Sequence, residues 1–345
     1  MKVTDLQAPP TAAGGGGVRN TWVLPEHKIV FTSIGKNACT SIKWMLAEIS
    51  GQDTARLTST QSMAPSRRLA VHNRRFWQGV PRLSDLDDDH LAQISPAEGW
   101  FVFAVVRDPR LRLFSAWQSK FLVGDPLYSH RRYADRPWLP RTPENVDDVL
   151  VDWRQFVDGL ALGRGHSFPV GDGHFAPQVD RLHETEVPYS RVYEMSEIGE
   201  LPGDLERHLV ATTGSAPSLV LGRENDTPLS AGAEVFPDDI RDTIEKIYAA
   251  DLARFGHLWS LDKTLAKPVA WSKDAFQGLA ARRAANERLA DLYAEQRRLD
   301  DENRRLRAAA DGSGASAAGN RPVVRRALAK ARRIASSRLS GSSRR

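Results

Sequence analysis

Short apolar runs and helically spaced apolar residues alternate over the first 260 positions of the chain. The apolar, β-rich runs predict strands over residues 28–32, 101–106 and 190–193. Apolar residues at helical spacing predict helices over residues 40–49, 109–121, 146–162, 205–212 and 238–255. The run 101–106 is apolar throughout, which is typical of a strand buried on both faces of a parallel sheet. Strands that alternate with helices therefore indicate an α/β fold around a central parallel sheet.

The pattern changes after about residue 270, and Ala, Arg, Glu and Leu dominate residues 280–310. Leucines recur there every seven residues, at Leu292, Leu299 and Leu306. A second set of residues with the same spacing alternates with them and would complete the seam of a coiled coil: Leu289, Gln296 and Asn303. This pattern is typical of a short coiled coil, in which a seam asparagine often fixes the register of a dimer. Two interpretations stay open: a homodimer formed through residues 285–306, or a single solvated helix, because the pattern covers only about three heptads.

We divide the chain into four parts on these grounds. Residues 1–20 form a Pro- and Gly-rich leader that is predicted to be disordered. The α/β domain covers residues 21–270, and the helix with the heptad pattern covers residues 271–312. A Gly- and Ser-rich linker and a basic tail make up residues 313–345.

Composition mainly excludes classes of protein. A chain of 345 residues with 41% hydrophobic and 26% charged residues has an ordinary soluble composition and supports a packed core. Its apolar runs are far shorter than the roughly 18 residues of a membrane span, and its start lacks the pattern of a secretory signal. The single cysteine, Cys39, excludes an internal disulfide framework and a Cys-rich zinc site. We therefore expect a cytoplasmic protein.

Charge is distributed unevenly along the chain. Nine of the 48 Lys and Arg residues lie in residues 321–345, which contain no Asp or Glu, so residues 1–320 carry a formal net charge of −4. The basic pI therefore comes from the tail, which argues against nucleic acid as a partner. The tail has the spacing of a basic amphipathic helix and could bind an anionic membrane surface, placing the protein on the inner face of the cell membrane. A disordered basic tail is the alternative.

The first segment that could carry chemistry lies between the strand 28–32 and the helix 40–49. It contains Gly35, which permits a tight turn, Lys36, which adds a point charge, and two hydroxyls at Thr40 and Ser41. Successive backbone amides at a helix N-terminus can hold an anion. An ordinary loop with a surface lysine is the alternative. The segment is not a Walker A loop, because it lacks the upstream glycine and the hydroxyl residue after the lysine, which argues against an ATPase or a usual nucleotide kinase.

The second segment follows the strand 101–106. Arg107 stands at the strand end, Asp108 and Pro109 match an N-cap and a first-turn proline, and Ser115 lies two turns into the helix. Arg107 and Ser115 can converge on one phosphate through a charged fork and a hydroxyl. The alternative is an Arg107–Asp108 pair with a capping serine.

Together the two segments resemble the two cofactor signatures of sulfotransferases that use 3′-phosphoadenosine 5′-phosphosulfate (PAPS). The closest resemblance is to the carbohydrate branch, which includes the HNK-1 and chondroitin 4-O-sulfotransferases. The first loop of that branch reads roughly Pro-Lys-x-x-Cys-Thr-Asn-x-Lys. The corresponding residues here are Gly35-Lys36-Asn37-Ala38-Cys39-Thr40-Ser41-Ile42-Lys43. Its second loop is matched here by Arg107-Asp108-Pro109, Arg112, Ser115-Ala116-Trp117 and Lys120-Phe121. Weaker similarities are His174-Phe175-Ala176-Pro177-Gln178, Asn225 with Thr227, and Tyr248-x-x-Asp251. The similarity covers residues 26–260.

The resemblance implies a fold and a donor. It implies a three-layer sandwich like that of P-loop NTPases, with residues 21–270 as the sulfotransferase domain and a helical or coiled-coil extension. PAPS would be the donor and no metal would be required. The resemblance places Lys36 and the segment Gly35, Asn37, Ala38, Cys39, Thr40 and Ser41 around the 5′-phosphosulfate, and Arg107 and Ser115 around the 3′-phosphate. Gly35 in place of proline, and the lack of the cysteine pairs and Golgi anchor of the animal enzymes, fit a bacterial-type member.

A hydroxyl acceptor also needs a general base, and histidine has a suitable pKa. His72 lies between the two loops in sequence, as the base does in the related uronosyl 2-O-sulfotransferases, and is the first candidate. His174 is the second, and a carboxylate such as Glu194 is the third. Lys36 would stabilise the leaving group and completes the catalytic set.

The acceptor is expected to be a carbohydrate or a glycolipid. A segment rich in rings and cations is a candidate for stacking on a sugar, or else a solvated surface loop: His130, Arg131, Arg132, Tyr133, Arg136, Trp138 and Arg141. Two other functions stay open at this point. One is a catalytically silent nucleotide-binding module that acts through its coiled coil and tail, and the other is a nucleotide or sugar kinase.

Overall fold

The computed structural model describes residues 18–58, 66–128, 136, 138–162, 172–224, 227–265 and 268–316. The basic tail, most of the leader, residues 130–133 and Asn225 therefore lie outside the described residues. The chain divides after Ala290 into two compact units, which are described separately. The first unit is described first.

A four-stranded mixed sheet forms the centre of the first unit. Its strands are β1 (Thr21–Leu24), β2 (Ile29–Thr32), β3 (Phe101–Val106) and β4 (Arg191–Glu194), and they lie side by side in that order. Strands β2, β3 and β4 are parallel, whereas β1 pairs antiparallel with β2. The predicted α/β fold with a central sheet is confirmed, and the antiparallel edge strand β1 is the part that the apolar pattern did not indicate.

Helices connect and cover these strands. In chain order they are α1 (Cys39–Ile49), α2 (Thr54–Leu57), α3 (Asp88–Ala92), α4 (Pro109–Trp117), α5 (Val146–Ala161), α6 (Val179–Leu182), α7 (Leu201–Thr213), α8 (Asp238–Ile247), α9 (Ala249–Phe255), α10 (Leu261–Thr264) and α11 (Lys273–Ser316). A π-helical turn over Gln118–Leu122 extends α4 to the predicted end of that helix. The predicted helix 238–255 is divided in two at Tyr248.

Alternation along β3 explains how the sheet is buried on both faces. Phe103 and Val105 pack with α1 and α7 in one apolar cluster. Ala104 and Val106 point the other way and pack with Phe255 of α9. A strand whose side chains are all buried must be apolar at both odd and even positions, which is the pattern of residues 101–106. The result is a sheet between two helical layers.

A third apolar cluster lies among the helices. It joins α4, α5 and α8 with the first turns of α11, which contributes Phe276 and Leu279. Trp117 and Trp153 form its centre and are almost completely buried. This cluster fixes α4, and with it the residues that follow β3.

Two expectations about the ends of the domain change. Of the predicted leader, residues 18–20 belong to the packed body: Val18 is buried, and the amide of Asn20 donates to the Ser33 carbonyl at 3.2 Å. At the other end, Asn286 is buried and donates to the Val123 carbonyl at 2.8 Å, so the first turn of the predicted segment 285–306 also packs on the body.

The second unit contains the rest of α11. The seam leucines Leu292, Leu299 and Leu306 are 45–62% exposed, as a helix that offers a coiled-coil face requires. The homodimer therefore stays a prediction. Among the described residues, none of the helices combines the length and the apolar character that crossing a membrane would require.

Candidate active site

The parallel strands bring the two sequence motifs together. Thr32 pairs with Ala104, and Val106 pairs with Glu194, so β2, β3 and β4 end along the same edge of the sheet. The segment before α1 and the segment before α4 both leave from that edge. In open α/β sheets, ligands bind at the carboxyl ends of the strands. Motifs about 70 residues apart in sequence therefore become neighbours.

The first corner presents free amides at the start of α1. The first helical hydrogen bond runs from the Ile42 amide to the Ala38 carbonyl at 3.1 Å, and no side chain caps the helix. The amides before Ile42 therefore have no helical hydrogen-bond acceptor four residues earlier. Free amides at a helix N-terminus can bind an anion. The backbone turns through positive φ values at Lys36 (73°) and Ala38 (54°), where side chains other than glycine are strained.

Gly35 has a second role besides the predicted tight turn. The turn is present, because the Asn37 amide donates to the Ile34 carbonyl at 3.4 Å, and its positive φ falls on Lys36 rather than on Gly35. A Cβ at this position would lie 2.9 Å from Cδ2 of His174. Glycine is required here because the imidazole of His174 packs directly against the backbone of the first corner.

The second corner leaves Arg107 available for a ligand. The Asp108 side chain caps α4 at the Arg110 amide and pairs with the Arg110 guanidinium through two bonds of 2.9 and 2.7 Å. An Arg107–Asp108 pair, the alternative from the sequence, is therefore not formed. Arg107 instead donates to the Lys36 carbonyl at 3.3 Å, which links the two corners.

A buried polar network locks the corners to each other. The amide of Asn37 donates to the Val105 carbonyl at 2.8 Å and to Oε1 of Gln178 at 2.7 Å. Gln178 also accepts from the Arg107 amide and donates to its carbonyl, at 3.0 and 2.8 Å. Asp251, which is fully buried, accepts from the Gln178 amide at 3.0 Å. Asn37 is thus a positioning residue and does not line the cavity.

Arg112 forms a second clamp. Its guanidinium is 1% exposed and donates to three carbonyls, those of Gly35, Ala176 and Gly173, at 2.9–3.0 Å. A buried cation with no carboxylate bonded to it is stabilised by these carbonyl dipoles. Arg112 therefore ties helix α4 to the first corner and to the segment that carries His174.

Both corners open into one cavity of about 830 Å³. Seven of the predicted donor-binding residues line it: Lys36, Ala38, Cys39, Thr40, Ser41, Arg107 and Ser115. His72 and His174 line the same cavity. The other two predicted donor-binding residues, Gly35 and Asn37, do not line the cavity. Their contacts position the first corner.

The electrostatics of the cavity favour an anion. Burial, and then the positive charge of Lys120, lower the pKa of Lys36 to about 7, and Arg107 and Arg282 add to the shift. Burial also lowers the pKa of Arg107, against the opposing charges of Asp108 and Glu194. Several cations are thus held close together, and a bound polyanion would stabilise their charged forms.

His174 has the geometry of a general base. Its Nδ1 lies 2.6 Å from Oδ1 of Asp172 and 3.1 Å from the hydroxyl of Tyr128, which also hydrogen-bonds Asp172. Nδ1 therefore carries the proton, and Nε2 has a lone pair that no described residue occupies. Burial, and then Lys120, lower the pKa of His174 to about 4, so the ring is neutral near pH 7.

His72 is engaged on both sides. Nδ1 lies 2.8 Å from the amine of Lys43, and Nε2 lies 2.9 Å from the hydroxyl of Thr40. When Lys43 is protonated, Nδ1 must accept and Nε2 must donate to Thr40. Burial, and then the charge of Lys43, hold the pKa of His72 well below its usual value. Its structural role is to orient Thr40. The third candidate, Glu194, accepts from the Ser196 amide at 2.6 Å and caps the following turn.

The predicted sugar-stacking segment can be checked at the residues that the structure describes. Trp138 is 2% exposed and packs against Phe121 and Phe156 in the helical core, so it cannot stack on a ligand. Arg141 has an exposed side chain 3.8 Å from Asp152, and it does not line the cavity. Residues 130–133 lie outside the described residues. Within the described part of the chain, we find no group of three or more His, Cys, Asp or Glu side chains suited to a metal ion.

Several site residues were not singled out from the sequence. Arg112, Gln178 and Asp251 stand in the matched motifs, and the resemblance could have marked them. Tyr128 and Asp172 have no local pattern, because their role depends on meeting His174 in space.

Comparison with known proteins places the chain in a family. The model of the Sulfotransferase family matches residues 19–257, and the chain belongs to this family. The predicted membership in the sulfotransferases is thereby confirmed.

Two curated relatives are similar to the chain. Carbohydrate sulfotransferase 10 of Danio rerio is 32% identical over 112 residues, which cover 32% of this chain and 28% of that protein. Carbohydrate sulfotransferase 12 of Mus musculus is 25% identical over 252 residues, which cover 67% of this chain and 58% of that protein. The chain thus matches less than two thirds of the length of either relative. No solved structure matches the chain.

Proposed function

We propose that the protein transfers a sulfuryl group from PAPS to a hydroxyl of a carbohydrate or glycolipid acceptor. The observation that carries the proposal is that Lys36, Arg107, Ser115 and His174 line a single cavity. Family membership supports sulfuryl transfer as the reaction. The names of both relatives support a carbohydrate as the acceptor.

The residues present fit the proposed donor. PAPS carries a phosphosulfate at one end of its ribose and a phosphate at the other. The uncapped start of α1 and the amine of Lys36 suit the phosphosulfate, because successive amides and a point charge hold tetrahedral anions. Arg107 lacks a carboxylate partner among the described residues, and with the Ser115 hydroxyl it would hold the 3′-phosphate.

The residues divide the chemical task. His174 Nε2 would take the proton from the acceptor hydroxyl as the oxygen–sulfur bond forms. The bond between sulfur and the bridging oxygen of the phosphosulfate breaks, and Lys36 would stabilise the charge left on that oxygen. Asp172 would hold the resulting imidazolium and keep its ring oriented. The products are the sulfate ester and adenosine 3′,5′-bisphosphate.

Of the two predicted histidine bases, we favour His174. Its Nε2 lacks a partner in the described chain, whereas both nitrogens of His72 are occupied by Thr40 and Lys43. His174→Ala should therefore reduce kcat by about 10²–10⁴-fold, the usual contribution of a general base. His72→Ala should act mainly on the affinity for the donor, since it releases Thr40.

Thermal denaturation with two nucleotides tests the proposal. At 100 times its Kd, adenosine 3′,5′-bisphosphate should stabilise the protein by about 2.7 kcal/mol without metal, which raises Tm by about 5 °C or more. ATP with Mg²⁺ should produce a much smaller shift. A larger shift with ATP and Mg²⁺ would favour a kinase instead. A large shift with the bisphosphate, together with no transfer of labelled sulfate into a lipid and polysaccharide extract, would favour a silent binding module.

A further inference from the structure

The first turns of α11 are built into the sulfotransferase body. Arg283 is 4% exposed and donates to the carbonyls of Pro140, Leu122 and Arg141 at 2.8–3.2 Å. Asn286, one turn later, donates to the Val123 carbonyl at 2.8 Å. These buried polar contacts fix residues 273–290 against the segment that follows α4. The family match ends at residue 257, so this helix lies beyond the matched residues.

The same turns form one wall of the cavity. Arg282 and Asn286 both line it, together with the predicted catalytic residues Lys36 and His174. Arg282 is exposed, and no described residue forms an ion pair or a hydrogen bond with it. Its charge reaches Lys36, whose pKa it helps to lower. An arginine held at a cavity wall without a carboxylate is a binding group for an anion.

The position of Arg282 assigns it to one end of the cavity. The segment that α11 contacts continues into Asp125 and Tyr128, which also line the cavity. Tyr128 hydrogen-bonds Nδ1 of His174, and Lys120 lies over the Tyr128 ring at 4.7 Å. Arg282 stands on the helical turn that contacts residues 122 and 123, so it lies next to the segment that leads to Tyr128 and His174.

Both acidic residues in the cavity lining are already engaged. Asp125 lies 2.9 Å from Lys120, and Glu224, the other acidic residue in the lining, pairs with Arg68. Neither is available to neutralise Arg282. An acceptor that brings its own negative charge would supply the missing partner.

We propose that residues 273–290 form a wall of the acceptor site and that Arg282 binds an anionic group of the acceptor, a carboxylate or a sulfate ester on the sugar. The inference rests on the proposed function, since it takes the side of His174 as the acceptor side. It adds a specificity-determining residue that lies beyond the family match.

Calorimetric binding of three sugars tests the inference. The full-length protein is saturated with adenosine 3′,5′-bisphosphate, so that the donor site is filled. The probes are the p-nitrophenyl β-glycosides of glucuronic acid, glucose 6-sulfate and glucose, which separate a carboxylate, a sulfate ester and no charge. The variants are Arg282→Gln and, as a matched control on the same helix, Arg288→Gln, which does not line the cavity.

The wild-type protein should bind at least one anionic glycoside about tenfold or more tightly than the neutral one. Arg282→Gln should lose that preference and Arg288→Gln should keep it. Equal binding of all three probes to the wild-type protein, including no binding, would overturn the inference, and so would a preference that survives in Arg282→Gln.

The bisphosphate separates this inference from the function on which it rests. If the nucleotide stabilises the wild-type protein and Arg282→Gln equally while the sugar preference is absent, only the role of Arg282 fails. If Arg282→Gln loses affinity for the bisphosphate as well, Arg282 belongs to the donor site and the inference is wrong. If the bisphosphate stabilises neither protein, the proposed function fails with it.

Discussion

Replacing Lys36 by Arg should change the pH dependence of sulfuryl transfer as well as its rate. Burial and the neighbouring cations lower the pKa of this lysine from 10.5 to about 7. Because one pKa unit corresponds to about 1.4 kcal/mol, the ammonium form is disfavoured by about 5 kcal/mol relative to a solvated lysine. A bound phosphosulfate would offset most of this cost, since its negative charge opposes the repulsion from Lys120, Arg107 and Arg282.

The sign of the effect follows from the role of the group. Lys36 must be protonated to stabilise the leaving group, and in the free enzyme it loses its proton as pH rises through about 7. The profile of kcat/KM for the donor reports the free enzyme, so it should fall above about pH 7. The profile of kcat reports the bound enzyme, in which the pKa is raised, so its decline should begin at least about two pH units higher.

Steady-state rates with labelled PAPS between pH 5 and pH 10 provide the measurement. In Lys36→Arg the guanidinium stays protonated, so the alkaline decline assigned to Lys36 should disappear, although the rate falls because the compact ammonium is lost. Superimposable alkaline limbs for kcat and kcat/KM in the wild-type protein would refute the reasoning. An unchanged alkaline limb in Lys36→Arg would do the same, and would direct attention to Lys43, whose pKa burial lowers to about 8.

Three further substitutions test other parts of the site. Asp172→Asn should lower kcat by about 10²–10⁴-fold, because His174 loses the acceptor that fixes its tautomer, and should leave the affinity for adenosine 3′,5′-bisphosphate unchanged. Equal losses in kcat and in bisphosphate affinity would contradict this role. Asp251→Asn should destabilise the fold by about 2–4 kcal/mol in urea denaturation, since the buried carboxylate accepts from Gln178 and from the next amide; a neutral effect would contradict the network. Gly35→Ala should lower kcat about tenfold and leave bisphosphate affinity nearly unchanged, because the new methyl group displaces His174; an unaltered kcat would show that the ring has room to move.

The sequence predicted the parts of the fold that local patterns determine. The strand at 101–106 is apolar at every position because both faces of β3 are buried, and its bounds agree with the structure. Strand β1, Thr21–Leu24, escaped prediction, and its place at the edge of the sheet comes from antiparallel pairing with β2. The break at Tyr248 also depends on tertiary structure, since its hydroxyl bonds the Phe175 carbonyl at 2.7 Å.

The candidate site shows the same division. The two corners could be found from the sequence because anion binding at a helix start needs particular residues at fixed spacing. Their neighbours could not, because the roles of Asp172, Tyr128 and Arg282 depend on which segments the fold brings together. The sequence indicated the turn at Gly35 but not the packing that excludes a side chain there, since a close approach by His174 leaves no trace near residue 35.

The central claim is that the two corners hold opposite ends of one nucleotide. Calorimetric titration with adenosine 3′,5′-bisphosphate and with adenosine 5′-monophosphate tests it most directly, because the two ligands differ only in the 3′-phosphate. The wild-type protein should prefer the bisphosphate by about 100-fold, the value of two charge-assisted hydrogen bonds. Arg107→Gln should lose this preference. Lys36→Ala should bind both ligands more weakly but keep the preference for the bisphosphate. Equal affinities in the wild-type protein, or a preference that persists in Arg107→Gln, would contradict the claim.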